Sequence, residues 1–285
     1  MNHSSKKVIA DENATAASPL MPGEKHLATG IKTGDVSRYV LFAGDPKRSD
    51  HCESIWDSYQ EVSYNREYRN CRGTFQGTDI SIVSTGIGDL AMSFAVEEIA
   101  RSGADTFIRV GTTGALQPEI ECGSLIINTG MIRGDGTSKC YIQPEYPALA
   151  NYEVVMALID ACETLGYKYY VGIGASADSF YAGQARPCFN NYWQSAWDNM
   201  VEDYRRAGIV NWEGEASALL TLSSLFGLRA GFISTVIDNR ITNEFNHIGE
   251  PESVHAASLA VVYLARWDQM KAEKGVKYVT PSMFK

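Results

Sequence analysis

Three short stretches of this chain combine glycines with groups able to hold an anion: Gly44-Asp-Pro-Lys-Arg48, Thr85-Gly-Ile-Gly88 and Arg109-Val-Gly-Thr-Thr-Gly114. Two guanidiniums, the Thr112 hydroxyl and backbone N–H groups in glycine turns suit a dianion such as phosphate. Each such contact is charge-assisted, and a planar guanidinium can bind two oxygens at once. None of the three stretches continues into Gly-Lys-Ser/Thr, so none is a Walker A loop, and none reads G-x-G-x-x-G. The expected ligand is therefore free phosphate or a phosphoryl group, not a nucleoside triphosphate.

A second group of residues follows later. Phe180-Tyr-Ala-Gly-Gln184-Ala-Arg186 sets an aromatic ring, an amide and a guanidinium a few residues apart. A side chain that both donates and accepts, beside an obligate donor, can read a planar heterocycle, and an aromatic ring can stack on its face. Glu213-Gly-Glu215 precedes a small, apolar helix (ASALLTL). Its carboxylates can accept from vicinal sugar hydroxyls, but they serve equally well to stabilise the positive end of a helix, without any ligand. His51, His247 and His255 read as packing or surface residues, and Tyr192, Trp193 and Trp197 as cover for an insertion over 187–207.

The elements needed to position these groups can be read from hydrophobic periodicity. Strands are expected at 39–42, 80–84, 106–109, 124–128, 170–176, 208–211 and 230–237. The third of these should end at Arg109 and turn sharply on Gly111 and Gly114, whose missing Cβ atoms would let the backbone approach the bound group. Helices are expected after Arg48 through Trp56 and over 91–101, 152–165, 216–226 and 252–271. Alternating strands and helices imply crossover connections, hence an α/β class: one domain with a central mixed, largely parallel twisted sheet flanked by helices. Residues 1–20 are polar and small, without the apolar segment of a signal peptide, and are expected to be a disordered leader before a domain over 21–285.

The totals fit this class. A chain of 285 residues can bury a sizeable core, and no apolar run approaches the ~20 residues of a membrane span. A formal net charge of −9 argues against nucleic acid as a partner, so basic residues in the loops are local exceptions. The six cysteines are scattered without a C-x-x-C pair, as expected of reduced thiols in a cytoplasmic protein without a metal centre.

The ordered series GDPKR, NREY (65–68), STGIG, FIRVGTTGA, FYAGQAR, NWEGEA and VIDNR resembles the hexameric nucleoside phosphorylase family, in particular its bacterial-type uridine phosphorylase branch. The resemblance runs from about His26 to the final helix. It implies the nucleoside phosphorylase fold and phosphorolysis of uridine, possible also for deoxyuridine, to uracil and ribose 1-phosphate in pyrimidine salvage, without a cofactor. Phosphate would be held by Gly44, Arg48, Arg109 and Thr112, with Arg66 reaching in from a neighbouring subunit. The nucleoside would meet Thr113, Gly114, Phe180, Gln184, Arg186, Glu213, Gly214, Glu215 and Arg240, with His26 supplied by the neighbour to the ribose 5′-hydroxyl. Arg109, Gln184, Arg186 and Glu215 would carry the catalysis. A homo-oligomer with sites shared within a dimer, and a hexamer overall, follows from the same resemblance.

The chain departs from the family pattern at three places. Gly214 replaces a methionine that packs under the ribose. Asp89-Leu-Ala91 replaces Gly-Pro-Ser, which places a carboxylate near the phosphate loop, or a cap on the following helix. It also removes the serine hydroxyl that joins Glu67 and the Ile87 carbonyl around a monovalent cation. Asp238 falls near where related purine nucleoside phosphorylases carry a general acid. Two other readings therefore stay open: a purine nucleoside phosphorylase, and a weakened paralogue that binds nucleoside or uracil without efficient turnover.

Overall fold

Apolar runs too short to be helices become the strands of a mixed sheet in the computed structural model, which describes residues 10–284. The first nine residues of the expected leader lie outside that range. Residues 10–20 turn back on themselves, the Asp11 N–H donating to the Leu20 carbonyl, and lead into a hairpin of β1 (Leu20–Met21) and β2 (Lys25–His26). The chain then builds β3 (Tyr39–Ala43), α1 (His51–Ile55), β4 (Ser58–Asn65), β5 (Tyr68–Phe75), β6 (Thr78–Ser84), α2 (Asp89–Arg101) and β7 (Thr106–Ala115). The second half follows with β8 (Leu125–Gly134), α3 (Thr137–Tyr141), β9 (Ala148–Leu149), α4 (Tyr152–Leu165) and β10 (Tyr169–Ala177). It ends with α5 (Met200–Arg206), β11 (Asn211–Glu213), α6 (Ala216–Leu225), β12 (Arg229–Asn239), β13 (Glu244–Phe245) and α7 (Glu250–Lys274).

β7 is the hub. It runs parallel to β3, which is parallel to β6, and the antiparallel β5 and β4 extend this side as a wing. Its other edge pairs in parallel with β12 along its whole length, while β11 pairs antiparallel with the end of β7, on the β3 edge beyond the reach of β3. Because β12 also pairs with β8, β8 with β10, and β10 with β11, these strands and β7 close into a barrel. Parallel pairing at the centre agrees with the expected class. Closure and the β4–β5 hairpin were not apparent from periodicity, since β4 (SYQEVSYN) is polar and largely exposed on both faces.

Two strand expectations require correction. β7 does not turn at Arg109 but runs on to Ala115. Its glycines serve neighbouring strands: a Cβ on Gly111 would lie 2.9 Å from the Phe232 ring of β12. The strand expected at 208–211 starts only at Asn211, because Gly208, at φ 74°, ends the turn after α5. Helix limits fall close to expectation. Asn151 caps α4 by accepting from the Glu153 N–H at 3.0 Å, and Gly166 closes it in the left-handed conformation.

Helices cover both faces. α4 and α7 bury Val154, Leu158, Val254 and Leu264 on one side, while α2 and α6 bury Met92, Val96, Leu219 and Leu222 on the other. No helix among the described residues is long and apolar enough to cross a membrane. At the foot of the barrel, Arg229 at the start of β12 donates to Asp268 of α7 at 2.6 and 2.8 Å and to Glu153 of α4 at 3.1 Å. Tyr39 donates to Asp268 at 2.7 Å, and Lys271 to Glu153 at 2.7 Å. Burial alone would push the Asp268 carboxyl up, but Arg229, Tyr39 and Lys271 more than offset it and hold it at about 2.

A carboxyl depressed in the folded state contributes stability that is complete above its unfolded value, about 3.9, and is lost as pH falls toward 2. Arg229→Met leaves two largely buried carboxylates short of a partner and should destabilise the fold by ~3 kcal/mol at neutral pH. It should also flatten the loss of stability between pH 4 and pH 2. Urea melts across that range check both effects; an unchanged acid slope would show that the network does not control it.

Candidate active site

The carboxyl ends of β3, β6 and β10 and the middle of β7 surround a cavity of about 660 Å³. Of the residues singled out from sequence, Gly44, Arg48, Arg109, Thr112, Thr113, Gly114, Phe180, Gln184, Arg186, Glu213, Gly214 and Glu215 all line it. His26, Arg66 and Arg240 do not. Arg66 sits exposed at the β4–β5 hairpin tip, and His26 is half-buried in β2. The Asn65 amide donates to the Ala28 carbonyl at 2.7 Å and so ties the hairpin tip to the segment that carries His26. Burial holds His26 below its ordinary range, which keeps the imidazole neutral at pH 7.

At one end lie Arg48 and Arg109, both buried. The 3-10 turn over Pro46–Asp50 delivers Arg48, which donates to the Val110 carbonyl at 2.9 Å and to Glu250 of α7 at 2.5 Å. Burial raises the Glu250 carboxyl, but Arg48 and His247 more than offset this and leave it below its ordinary range. Arg109 projects from the middle of β7. Because β11 runs antiparallel to β7, the chain beyond it returns toward Arg109 and places two carboxylates against the guanidinium. Nη2 donates to Glu215, and Nε lies 3.4 Å from Glu213. Arg48 Nε and Arg109 Nε and Nη1 are buried with no hydrogen-bond acceptor among the described residues. Buried donors left without an acceptor are costly, and their presence around one cavity marks it as a place for an anion.

The two glutamates divide their work. Glu213 accepts from the N–H groups of Glu215 and Ala216 at 2.8 and 3.0 Å and from the Ser176 hydroxyl, so it stabilises the start of α6. Burial pushes its carboxyl up, and Arg109 only partly offsets this. Glu215 instead bridges Arg109 and the Gly88 N–H, the latter at 2.8 Å. Between them, Gly214 faces open space: a Cβ there would meet nothing within 4 Å. The Thr113 hydroxyl donates to the Trp212 carbonyl at 2.8 Å and accepts from Asn211 at 3.0 Å, which commits it to holding β11.

At the far end lie Phe180, Gln184 and Arg186, the residues expected from sequence to read a heterocycle. Phe180 stacks on Arg186, with the guanidinium carbon 4.3 Å from the ring centroid, and Arg186 Nη2 donates to Asp238 at 2.8 Å. Gln184 is buried and donates to the Glu213 carbonyl at 3.3 Å. Arg240 stands behind this loop and donates to the carbonyls of Gln184 and Ala185 at 2.8 and 3.0 Å. Ala185 lies at φ 48°, a conformation disfavoured for a residue with a Cβ, so Arg240 braces a strained turn.

Asp89 neither caps α2 nor adds charge. It is buried, and both its oxygens lack a hydrogen-bond partner among the described residues. Burial, with Asp135 and Glu213 nearby, pushes its carboxyl up to about 10, so it is neutral at pH 7. Ala91 offers only its carbonyl, which accepts from Tyr68 at 2.9 Å. The cavity also includes Asp178, whose one signal in the sequence is its place directly after the glycine-containing strand β10. Glu250, the partner of Arg48, had no signal, because it lies 202 residues away in sequence.

The sequence of the chain is similar to those of known proteins. The phosphorylase superfamily matches residues 38–265. A uridine phosphorylase of Thermococcus kodakarensis is 51% identical over 258 residues, which cover 90% of this chain and 92% of the relative. A uridine phosphorylase of Klebsiella aerogenes is 35% identical over 224 residues, covering 78% of this chain and 88% of the relative. A guanosine phosphorylase of Halorubrum lacusprofundi is 37% identical over 221 residues, covering 78% and 86%. A match that begins ahead of Gly44 and ends beyond Glu250 takes in every wall of the cavity, and this chain belongs to the phosphorylase superfamily.

Proposed function

We propose that the chain uses inorganic phosphate to cleave the glycosidic bond of uridine, giving uracil and ribose 1-phosphate, with deoxyuridine as a further substrate. The observation that carries this reading is the set of unpartnered guanidinium N–H groups on Arg48 and Arg109, in one cavity with Gln184 and Arg186. The relatives named uridine phosphorylase support the choice of base.

Phosphate seated on Arg48, Arg109, Thr112 and the Gly44 backbone attacks C1′ as the bond to the base nitrogen loosens. The sugar gains oxocarbenium character, and the bonding pair leaves on the uracil ring. Arg186 and the Gln184 amide donate to the ring oxygens, where that charge accumulates; fixed donors of this kind are worth ~3 kcal/mol each. Glu215 accepts from a ribose hydroxyl while its other oxygen stays on Arg109. One carboxylate thus sets the distance between sugar and phosphate, and holding two substrates in line can supply ~7–11 kcal/mol of the barrier reduction.

His26 and Arg66 act in this scheme from a neighbouring subunit, making a dimer the smallest active unit within a hexamer. The exposed apolar side chains of Leu27, Tyr64, Ile87, Leu90 and Phe94 support such an interface. The six cysteines, all free thiols, are in keeping with a cytoplasmic enzyme. A purine nucleoside phosphorylase is the second reading, favoured by Asp238 and by the guanosine phosphorylase relative; faster cleavage of inosine than of uridine would put it first.

Arg109→Ala should abolish phosphate-dependent release of uracil from uridine, followed by the absorbance change on base release, and near-normal turnover would sink the phosphate assignment. Arg240→Met should lower kcat/KM for uridine tenfold to a hundredfold, the equivalent of losing one charged hydrogen bond of ~1.5–3 kcal/mol. Its melting temperature should stay within a few degrees of the parent, and unchanged kinetics would show that the Gln184–Arg186 loop holds its shape unaided.

A further inference from the structure

β12 contains one irregularity, and it lies at the cavity wall. From Arg229 to Val236 it keeps a regular parallel register with β7, Val236 opposite Thr113. The next pair is Asp238 with Gly114, so Ile237 is an extra residue and the ladder bulges there. A bulge re-aims the side chains beyond it. Here it brings a carboxylate to the wall of the cavity, among the lining residues.

β7 is shaped to receive it. A Cβ on Gly114 would sit 2.9 Å from both oxygens of Asp238, so only glycine leaves room for the carboxylate at this height. One oxygen, Oδ2, accepts from Arg186 at 2.8 Å, and the other, Oδ1, takes no hydrogen bond among the described residues. The base end of the cavity therefore presents donors on Arg186 and Gln184 and, between the arginine and the glycine strand, an acceptor without a partner.

We propose that Asp238 is a specificity-determining residue, which accepts the ring N–H of an imide base while Arg186 and Gln184 donate to the carbonyls on either side of that N–H. The inference rests on the uridine reading and says which edge of the base is read. Uracil offers acceptor, donor, acceptor along the edge away from the sugar, and the side chains answer with donor, acceptor, donor. Cytosine places a lone pair where uracil has its N3–H and would face the carboxylate with like charge density. A methyl group at N3 removes the donor and meets the same oxygen. Arg186 has two tasks in this arrangement, since the contact that neutralises Asp238 also fixes the plane of its guanidinium against Phe180.

The test compares uridine with 3-methyluridine, and uracil with 3-methyluracil. The parent enzyme should prefer uridine by at least a hundredfold in kcat/KM, because a site built around a substrate N–H strongly rejects the analogue that lacks it. In Asp238→Ala that ratio should shrink by roughly tenfold to a hundredfold, with activity on 3-methyluridine held or increased. Asp238→Asn keeps an acceptor oxygen of the same size and should restore part of the preference. Equal losses on both substrates in Asp238→Ala would reduce Asp238 to a support for Arg186 and overturn the proposal; so would an unchanged ratio. Calorimetric binding of uracil and 3-methyluracil to the same three proteins reads the discrimination without turnover. Failure to cleave uridine would thus count against the reaction alone, and equal binding of the two bases by the parent against Asp238.

Discussion

A guanidinium buried in the middle of a sheet has to be neutralised where it stands, and Arg109 is in that position. Removing an arginine from water costs several kcal/mol, recovered only if a carboxylate meets it in good geometry. β7 cannot supply one, since its neighbours Val110 and Gly111 are apolar. The partner arrives because β11 pairs antiparallel to β7 and its chain returns beside Arg109 with Glu213 and Glu215. That short pairing also closes the barrel. Fold closure and charge neutralisation are one event here, and Glu215 carries the result to the next strand end by accepting from the Gly88 N–H.

The glycines of β7 follow from the same closure. A strand paired with β3, β12 and β11 has little room for side chains, and the two glycines mark where neighbours press hardest: Phe232 at Gly111 and Asp238 at Gly114. Phe232 also lies beneath the Arg109 guanidinium, 5.8 Å from its carbon to the ring centroid. The Asn211 amide joins Thr113 to Asn128, linking three barrel strands by side-chain hydrogen bonds just below the cavity.

What sequence reading could reach reflects how local each signal is. Gly44–Arg48, Gly86–Gly88 and Gln184–Arg186 announce themselves because their functional atoms sit in one loop, and all line the cavity. α4 is legible to the residue, its limits at Tyr152 and Leu165 falling where the periodicity puts them. β4 was not, because an exposed wing strand has no apolar face to alternate. The course of β7 beyond Arg109 was misread for a related reason: glycines in a strand look like a turn until the pressing side chains are known, and those come from β12. Asp89 shows the same limit in electrostatics. Its type suggested charge or a cap, whereas burial among other acids makes it neutral.

The three arginines of the cavity show how an acidic protein keeps guanidiniums buried in one place. Each is paired with a carboxylate from a different element: Arg48 with Glu250 of α7, Arg109 with Glu215 ahead of α6, Arg186 with Asp238 of β12. The pairings lower the cost of burial and fix each guanidinium plane, yet each leaves Nε, and in Arg109 also Nη1, without an acceptor. Donor edges held rigid in this way need no reorganisation when an anion arrives, which is where electrostatic stabilisation gains most. The counter-ions also keep the cavity from becoming a strong unselective anion trap. Selectivity then depends on shape and on which edges stay open, and those are set by β11, α7 and the bulge in β12, elements that bring no guanidinium of their own to the cavity.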